Sequence, residues 1–514
     1  MEKINFKKIA VIMTGFLIIE ALSFLAFSRP LLNGALLVIL SLAVIIVSAY
    51  RLEYGFLALL GELFIGSMGH LFFINLTGGQ LPLRMAIWSA FMAVFAVKFV
   101  KQLIMVRKRR VGSEGEDAEK AEKSEENSYL KNLKNFGGAK FFIILAIFVV
   151  FALINGFARG HAGNLIFSDF NSWLFFLLII PAAAIYGGGE EEKITRLKIC
   201  FLAGALWLSL KTLILLFIFT HDSVISPEIY AWLRKTLSGE MTPTKADWPR
   251  IFIQGQIYSG IAFFASFWAS QASFKLKNIF RRANFLILLM AASFLSALII
   301  SFSRSFWAGL LAALLFSLIL IWRFYSFQKM IVAGIWLLSS LALSFLIIYA
   351  VSAWPYIHKP GNFGASFLDR VSSSDEAAVA SRWSLLPALT TEIKKEPFLG
   401  QGYGATVTYK SSDPRILQAS PTGVYTTYAF EWGYLELWLK LGLLGLAAYL
   451  LLLYQLIKGG IKSGFKTGQT LFFALAAGLI FLAVTNIFTP YLNHPLGIGI
   501  IILSSCLIRP NRIY

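Results

Sequence analysis

The chain has 514 residues, 57% hydrophobic and only 14% charged, with apolar runs long enough to cross a bilayer from end to end; a soluble core of this size does not need that pattern. Lysine and arginine outnumber aspartate and glutamate by 46 to 27, a net charge of +19 that in a soluble protein would point to nucleic acid. Here those charges fall in short loops between apolar runs and report topology instead, while the two cysteines, Cys200 and Cys506, sit far apart inside apolar segments and form neither a metal-ligand set nor a disulfide framework.

In chain order, windows of about 20 apolar residues predict spans near 9–27, 30–50, 54–74, 83–105, 139–158, 172–187, 197–220, 251–272, 283–301, 305–323, 329–352, 434–457, 469–488 and 494–508. The first resembles a signal peptide in its basic start, but Glu20 interrupts it and a second span follows at once, so it reads as a retained anchor. If MEKINFKK is cytoplasmic, the inner loops carry Arg51, VRKRR, KITRLK, KLKNIFRR, WRFYSFQK, KGGIKSGFK and the C-terminal RPNRIY, every one of them basic. The opposite loops are nearly neutral, which is the positive-inside asymmetry and puts both termini in the cytoplasm. The expected class is all-α: a polytopic membrane protein of about 12–14 transmembrane helices with a long extracytoplasmic helical loop.

The domain layout follows from these spans. Residues 1–106 form the N-terminal transmembrane helices, and 107–138 a charged cytoplasmic linker that includes the low-complexity run Gly112–Asn127. Residues 139–514 form a membrane domain with an extracytoplasmic loop at 353–433. Inside that loop, residues 373–395 read as a helix. Ser373 and Glu376 have capping-box spacing, Arg382, Leu385, Leu386, Leu389 and Ile393 share a face, and Pro387 either bends the helix or marks a second start.

Several residues are candidates for chemistry. Arg304 lies in SFSRSFWAGLLAALL, at the outer end of a tight hairpin, where an arginine is either a headgroup anchor or a functional cation. Arg382 has a guanidinium suited to forking onto phosphate, or to pairing with Asp375 or Glu376. Gly400, Gly402 and Gly404 give G-x-G-x-G without a preceding strand, the mark of a tight turn that lets backbone approach a helix or a ligand. Glu431 precedes a span and is either a helix-end carboxylate or a general base. Glu436 and Lys440 have pairing spacing, whereas Glu20, Glu62 and Lys211 lie inside spans without a partner that the sequence names. His161, His221, His358 and His494 are scattered, so no metal and no cofactor are expected.

The order of three motifs is more specific than any one of them: SFSRSFWAGLLAAL at a hairpin, then SRWSLLPALTTEIKKEPFLGQGYG in the outer loop, then EWGYLELWLKLGLLG opening a span. Together they resemble the O-antigen ligase and O-antigen polymerase superfamily over a core at about 285–488. Ser303-Arg304, Arg382 with Pro397 and Gly400-Gln401-Gly402, and Gly442 to Gly445 fit the family's elements, whereas Glu431-Trp432 stands where the family has His-Asn. The resemblance implies metal-independent, inverting glycosyl transfer outside the cytoplasm, at the cell (inner, cytoplasmic) membrane. Its donor is a glycan on undecaprenyl pyrophosphate, and its acceptor a hydroxyl of lipid A core or another glycan. It implies Arg304, Ser303, Arg382, Gly400, Gly402 and Gly404 as substrate-binding residues and Glu431 as the base in place of histidine. A polymerase of the same superfamily and a lipid-linked glycan transporter are the alternatives; no nucleic acid is expected, and membrane lipids surround the chain.

Overall fold

The computed structural model describes residues 6–76, 79–112, 132–133, 138–221, 225–273, 282–356, 361–372 and 377–508. The charged stretch beyond Gly112, the capping pair Ser373 and Glu376, Asp375, His358 and the RPNRIY end lie outside the described residues. Ten helices among the described residues are long and apolar enough to cross a membrane, and they fall on ten of the predicted spans. The other four predicted spans hold shorter helices, Leu52–Ile65, Ile257–Ser273, Thr470–Thr485 and Pro495–Leu507, of 14, 17, 16 and 13 residues. At 1.5 Å per residue these rise about 20–26 Å, less than the roughly 30 Å of hydrocarbon. The protein is an all-α polytopic membrane protein, and the described strands form three two-stranded hairpins.

The shortened third span has a local cause. Helix Leu52–Ile65 stops at Gly66, and the chain then turns through Ser67 and Gly69, which have φ of 44° and 85°. Arg84 seals that turn: it donates to the Ser67 carbonyl at 2.7 Å and holds both Glu62 carboxylate oxygens at 2.8 and 3.2 Å. Glycine and one arginine thus end a helix whose hydropathy alone would carry it to residue 74.

The chain folds as two compact units. One comprises residues 1–136, 178–302 and 324–361, and the other residues 137–177, 303–323 and 362–514. In the first, the charges that the sequence left without partners are paired. Lys211 on helix Glu191–Thr220 donates to Glu20 on helix Phe6–Ala26 at 2.6 Å, with both side chains buried. Arg196 forks onto the two oxygens of Glu53, each at 2.7 Å. Each pair joins segments more than 140 residues apart, and a buried charge is tolerated at membrane depth only with such a partner.

We therefore expect Lys211→Met, which leaves Glu20 buried without its cation, to destabilise the protein by about 3–5 kcal/mol, with much of the loss recovered on adding Glu20→Gln. Thermal unfolding in detergent, followed by tryptophan fluorescence, measures both; equal melting of the single variant and wild type would remove the pair from the stabilising interactions.

Candidate functional site

Ser303, Arg304, Arg382, Gly400, Gly402, Gly404 and Glu431 all belong to the second unit. Its organising element is helix Gly433–Thr467, 35 residues long and broken at Gly442, whose φ of 73° and ψ of 175° only glycine readily adopts. At the break the helix loses two internal hydrogen bonds and the Pro397–Gly404 loop replaces them. Leu443 and Leu444, whose amides would have reached the carbonyls of Leu439 and Lys440, donate instead to Pro397 and Phe398 at 2.9 and 3.2 Å. The released Leu439 and Lys440 carbonyls accept the amides of Gln401 and Gly402 at 2.7 and 3.1 Å. All four freed groups are satisfied, as burial requires.

The G-x-G-x-G loop fits there because its glycines bring no side chain to the points of contact. A Cβ on Gly400 would lie 2.4 Å from the Gly442 nitrogen, and one on Gly402 would lie 2.4 Å from the Gly156 nitrogen on helix Ala139–Ala158. With φ of 75°, 85° and 79°, Gly400, Gly402 and Gly404 turn the loop between two helices, so what they approach here is protein backbone. Asn155 donates to the Gly400 carbonyl at 2.9 Å, and the His161 ring lies 2.7 Å from the Tyr403 carbonyl. The end of the loop is held by charge. Asp169 accepts the Gly404 amide at 2.8 Å on one oxygen and the Lys440 ammonium at 2.7 Å on the other; Lys440 also donates to Glu436 at 2.6 Å, and all three side chains are buried. The expected Glu436–Lys440 pair is therefore part of a triad. Burial, reinforced by the charge on Asp169, pushes the Tyr403 hydroxyl well above its usual value, so this phenol stays protonated and is no candidate base.

Upstream, helix Ala377–Lys395 runs through Pro387 without a second start. Thr390 and Thr391 both donate to the Pro387 carbonyl at 2.9 Å. Leu385, Leu389 and Ile393 pack with Ala405, Val407, Phe430 and Leu439, so the predicted apolar face is the buried one. That packing sets Arg382 beside Glu431: the guanidinium Nε donates to the carboxylate, and the Arg382 carbonyl accepts the Trp432 indole at 3.0 Å. The partners suggested by proximity in sequence, Asp375 and Glu376, lie outside the described residues; the partner described is 49 positions downstream. Glu431 does not cap the helix either; the cap position is Trp432 and lacks a side-chain cap bond. The pair stays accessible, with side-chain exposures of 35% for Arg382 and 54% for Glu431.

Arg304 is the first residue of helix Arg304–Phe324, and its Nε donates to the Arg370 carbonyl at 2.8 Å, capping the last turn of helix Phe363–Ser372. Trp307 packs on Phe367 of that helix. Ser303, at the helix start, shares a hydroxyl contact of 3.0 Å with Ser305, which lies 3.0 Å from the Thr489 hydroxyl. One residue earlier, Phe488 packs on Trp432. The turn after helix Thr470–Thr485 thus touches both the Ser303-Arg304 end and the Arg382–Glu431 end. Buried Asn486 fixes this turn by accepting the amides of Tyr491 and Leu492 at 2.8 and 2.9 Å.

Sequence reasoning missed Asp169, Asn155, Arg370 and the turn at Asn486. Asp169 alone carried a signal, as a carboxylate flanked by apolar runs. Among the described residues, no group of three His, Cys, Asp or Glu side chains is arranged to hold a metal.

The second unit of this multi-pass membrane protein thus holds a helix broken at Gly442 and wrapped by a glycine-turned loop, with Arg382 and Glu431 paired and accessible near the helix start. Residues 285–450, which include Arg304, Arg382, Gly400, Gly402, Gly404, Glu431 and Gly442, match the family model described as O-antigen ligase. Over this region, about a third of its length, the chain is similar to the O-antigen ligase family, a likeness that supports ligase- or polymerase-like processing of glycans. A comparison with curated proteins gives no match.

Gly442→Ala places a Cβ 2.2 Å from the Phe398 carbonyl oxygen and should cost at least the roughly 1–3 kcal/mol of a forced backbone region. Proteolysis of the detergent-solubilised protein within 397–404 should accelerate accordingly; unchanged cleavage would mean that the loop does not depend on the break.

Proposed function

We propose that the chain transfers a glycan from an undecaprenyl-pyrophosphate carrier to an acceptor hydroxyl on the non-cytoplasmic face of the cell membrane, with both termini in the cytoplasm. The observation that carries this reading is the Arg382–Glu431 pair, a cation and a carboxylate from separate segments meeting at an accessible helix start. The acceptor oxygen bonds to the anomeric carbon from the face opposite the pyrophosphate, giving inversion. The anomeric carbon–oxygen bond breaks, and its electron pair leaves on the pyrophosphate. The acceptor proton passes to Glu431, standing where the family has histidine.

Charge on the departing pyrophosphate needs cations that stay protonated and grip oxygens in pairs, which guanidinium does. Arg382 and Arg304 are assigned that role, with Ser303 beside Arg304. Gly400, Gly402 and Gly404 contribute through backbone, by holding the loop that follows Arg382. Arg382 is held by Glu431. A phosphate group competes for that guanidinium, so donor binding frees the carboxylate to face the acceptor. No step requires a metal or a cofactor. The acceptor is lipid A core or another glycan.

A transporter with a broken helix directs the half-helix ends at its substrate. Here the exposed amides and carbonyls at Gly442 are taken by the loop, which favours an enzyme.

Purified protein supplied with an undecaprenyl-pyrophosphate glycan tests the reading. Transfer only to an added acceptor marks a ligase, and a lengthening ladder without one marks a polymerase. Glu431→Gln should lower kcat by about 10²–10⁴, the range for a general base, and Arg304→Ala and Arg382→Ala should abolish transfer while the proteins remain membrane-inserted. Full activity in Glu431→Gln would remove it as the base, and no transfer by wild type under either condition would sink the enzyme assignment.

A further inference from the structure

Arg382 and Glu431 are each followed directly by a tryptophan, and the contact between the two charges is repeated between the two indoles. The Trp383 and Trp432 rings lie with centroids 5.4 Å apart and planes at 68°. Trp432 is the fixed member. It packs against the cluster of Leu385, Leu389, Phe430 and Leu439, its indole nitrogen donates to the Arg382 carbonyl at 3.0 Å, and the Phe488 ring backs it at 5.6 Å. Trp383 is the open member, 58% exposed, and an indole so exposed beside a charged pair offers a broad apolar face to whatever binds there. The surface is also wet: the Arg382 and Glu431 side chains are 35% and 54% exposed, and a carboxylate so placed is hydrated, not set in hydrocarbon. The chemistry assigned to Arg304, Arg382 and Glu431 gives the two rings no task.

We propose that the exposed Trp383 indole, backed by Trp432, stacks on a sugar ring of the acceptor and so sets the acceptor hydroxyl beside Glu431. The proposal rests on the glycosyl-transfer reading. In that reaction the donor is gripped through its pyrophosphate, whereas the attacking hydroxyl of the acceptor is neutral and gives the arginines no charge to hold. Its affinity has to come from another kind of contact. A pyranose with mainly equatorial hydroxyls presents a face of C–H bonds with slight positive charge, the complement of the negative face of an indole, while its hydroxyls stay in water around the rim. Because Trp383 adjoins Arg382 in the chain and Trp432 adjoins Glu431, a ring held on these indoles lies next to both charged groups. Tryptophan also serves as an anchor at lipid headgroups, but the half-exposed carboxylate beside this one keeps the surface in water. The acceptor class so defined is a pyranoside recognised through its ring face.

The test uses the full-length protein in phosphatidylcholine nanodiscs, free of sugar-based detergent, with maltotriose as the probe. Saturation-transfer NMR with irradiation of the aromatic protons should carry saturation to the sugar-ring C–H protons in wild type and in Trp383→Phe. In Trp383→Ala it should fall about threefold to tenfold, the range for loss of one aromatic contact. Thermal unfolding shows whether the variants are folded, and Trp383→Leu, which keeps an apolar side chain without a ring, serves if Trp383→Ala does not fold. Equal saturation in the ringless variant and wild type, or none in wild type, would overturn the proposal. A spin label on Trp383→Cys, with Cys200 and Cys506 both buried, should respond to a water-soluble nickel chelate more than to oxygen; the reverse would put this side chain in lipid and overturn the proposal as well. In the transfer assay Trp383→Ala should raise the acceptor KM about threefold to tenfold with the donor KM unchanged, and a rise in the donor KM alone would count against it. The binding arm needs no donor, so the two failures are distinct. Saturation that depends on Trp383 in a protein that transfers nothing would sink the enzyme reading and keep the sugar platform, whereas transfer indifferent to Trp383 would do the converse.

Discussion

The exchange of hydrogen bonds at Gly442 is the constraint on which the arrangement of the second unit rests. A helix interrupted inside an apolar environment exposes amides and carbonyls that neither lipid nor apolar side chains can satisfy, at a cost of several kcal/mol for each group. The Pro397–Gly404 loop satisfies two of each by inserting its own backbone, and it can do so only because both sides of the contact are glycine. Once the loop is fixed there, the helix that precedes it is fixed too. Its apolar face closes on Phe430 and Leu439, and Arg382 comes to lie against Glu431. The relation between the cation and the carboxylate thus follows from a backbone event eleven residues further along the chain.

Ion pairs do comparable work where the backbone cannot. Lys440 between Asp169 and Glu436, Lys211 on Glu20, and Arg84 on Glu62 each tie one segment to another through charges that would be costly alone. The contrast with Arg382 and Glu431 is informative. Those buried pairs are enclosed, whereas this one is half open to solvent, so a phosphate or a hydroxyl can reach it. Accessibility separates a pair that holds the fold from a pair available for chemistry, and spacing in the sequence does not reveal which is which.

Several readings made from sequence survive in the structure, and those that do not fail for local reasons. The Leu385, Leu389 and Ile393 face was legible because helical periodicity is a property of the segment itself. Glu436 and Lys440 were legible as neighbours one helical turn apart, yet Asp169, their third member, comes from a helix some 270 residues earlier and leaves no trace in local spacing. The third span was expected to reach residue 74 because hydropathy does not register the Gly66–Gly69 turn or the arginine that seals it. Arg304 was poised between anchor and functional cation; its bond to the Arg370 carbonyl adds a helix-capping role that neither alternative contained.

By itself the sequence determined that this is an all-α, multi-pass membrane protein and where ten of its long apolar helices run, because hydropathy acts segment by segment. Its motif order also pointed to the likeness that residues 285–450 bear to the O-antigen ligase family, since that order is a property of the chain. Only the tertiary structure decided which charges pair, that Gly442 is a break rather than a helical residue, and that Arg382 faces Glu431. Those outcomes depend on the closure of segments far apart in the chain, which brings polar groups together irrespective of their distance in sequence.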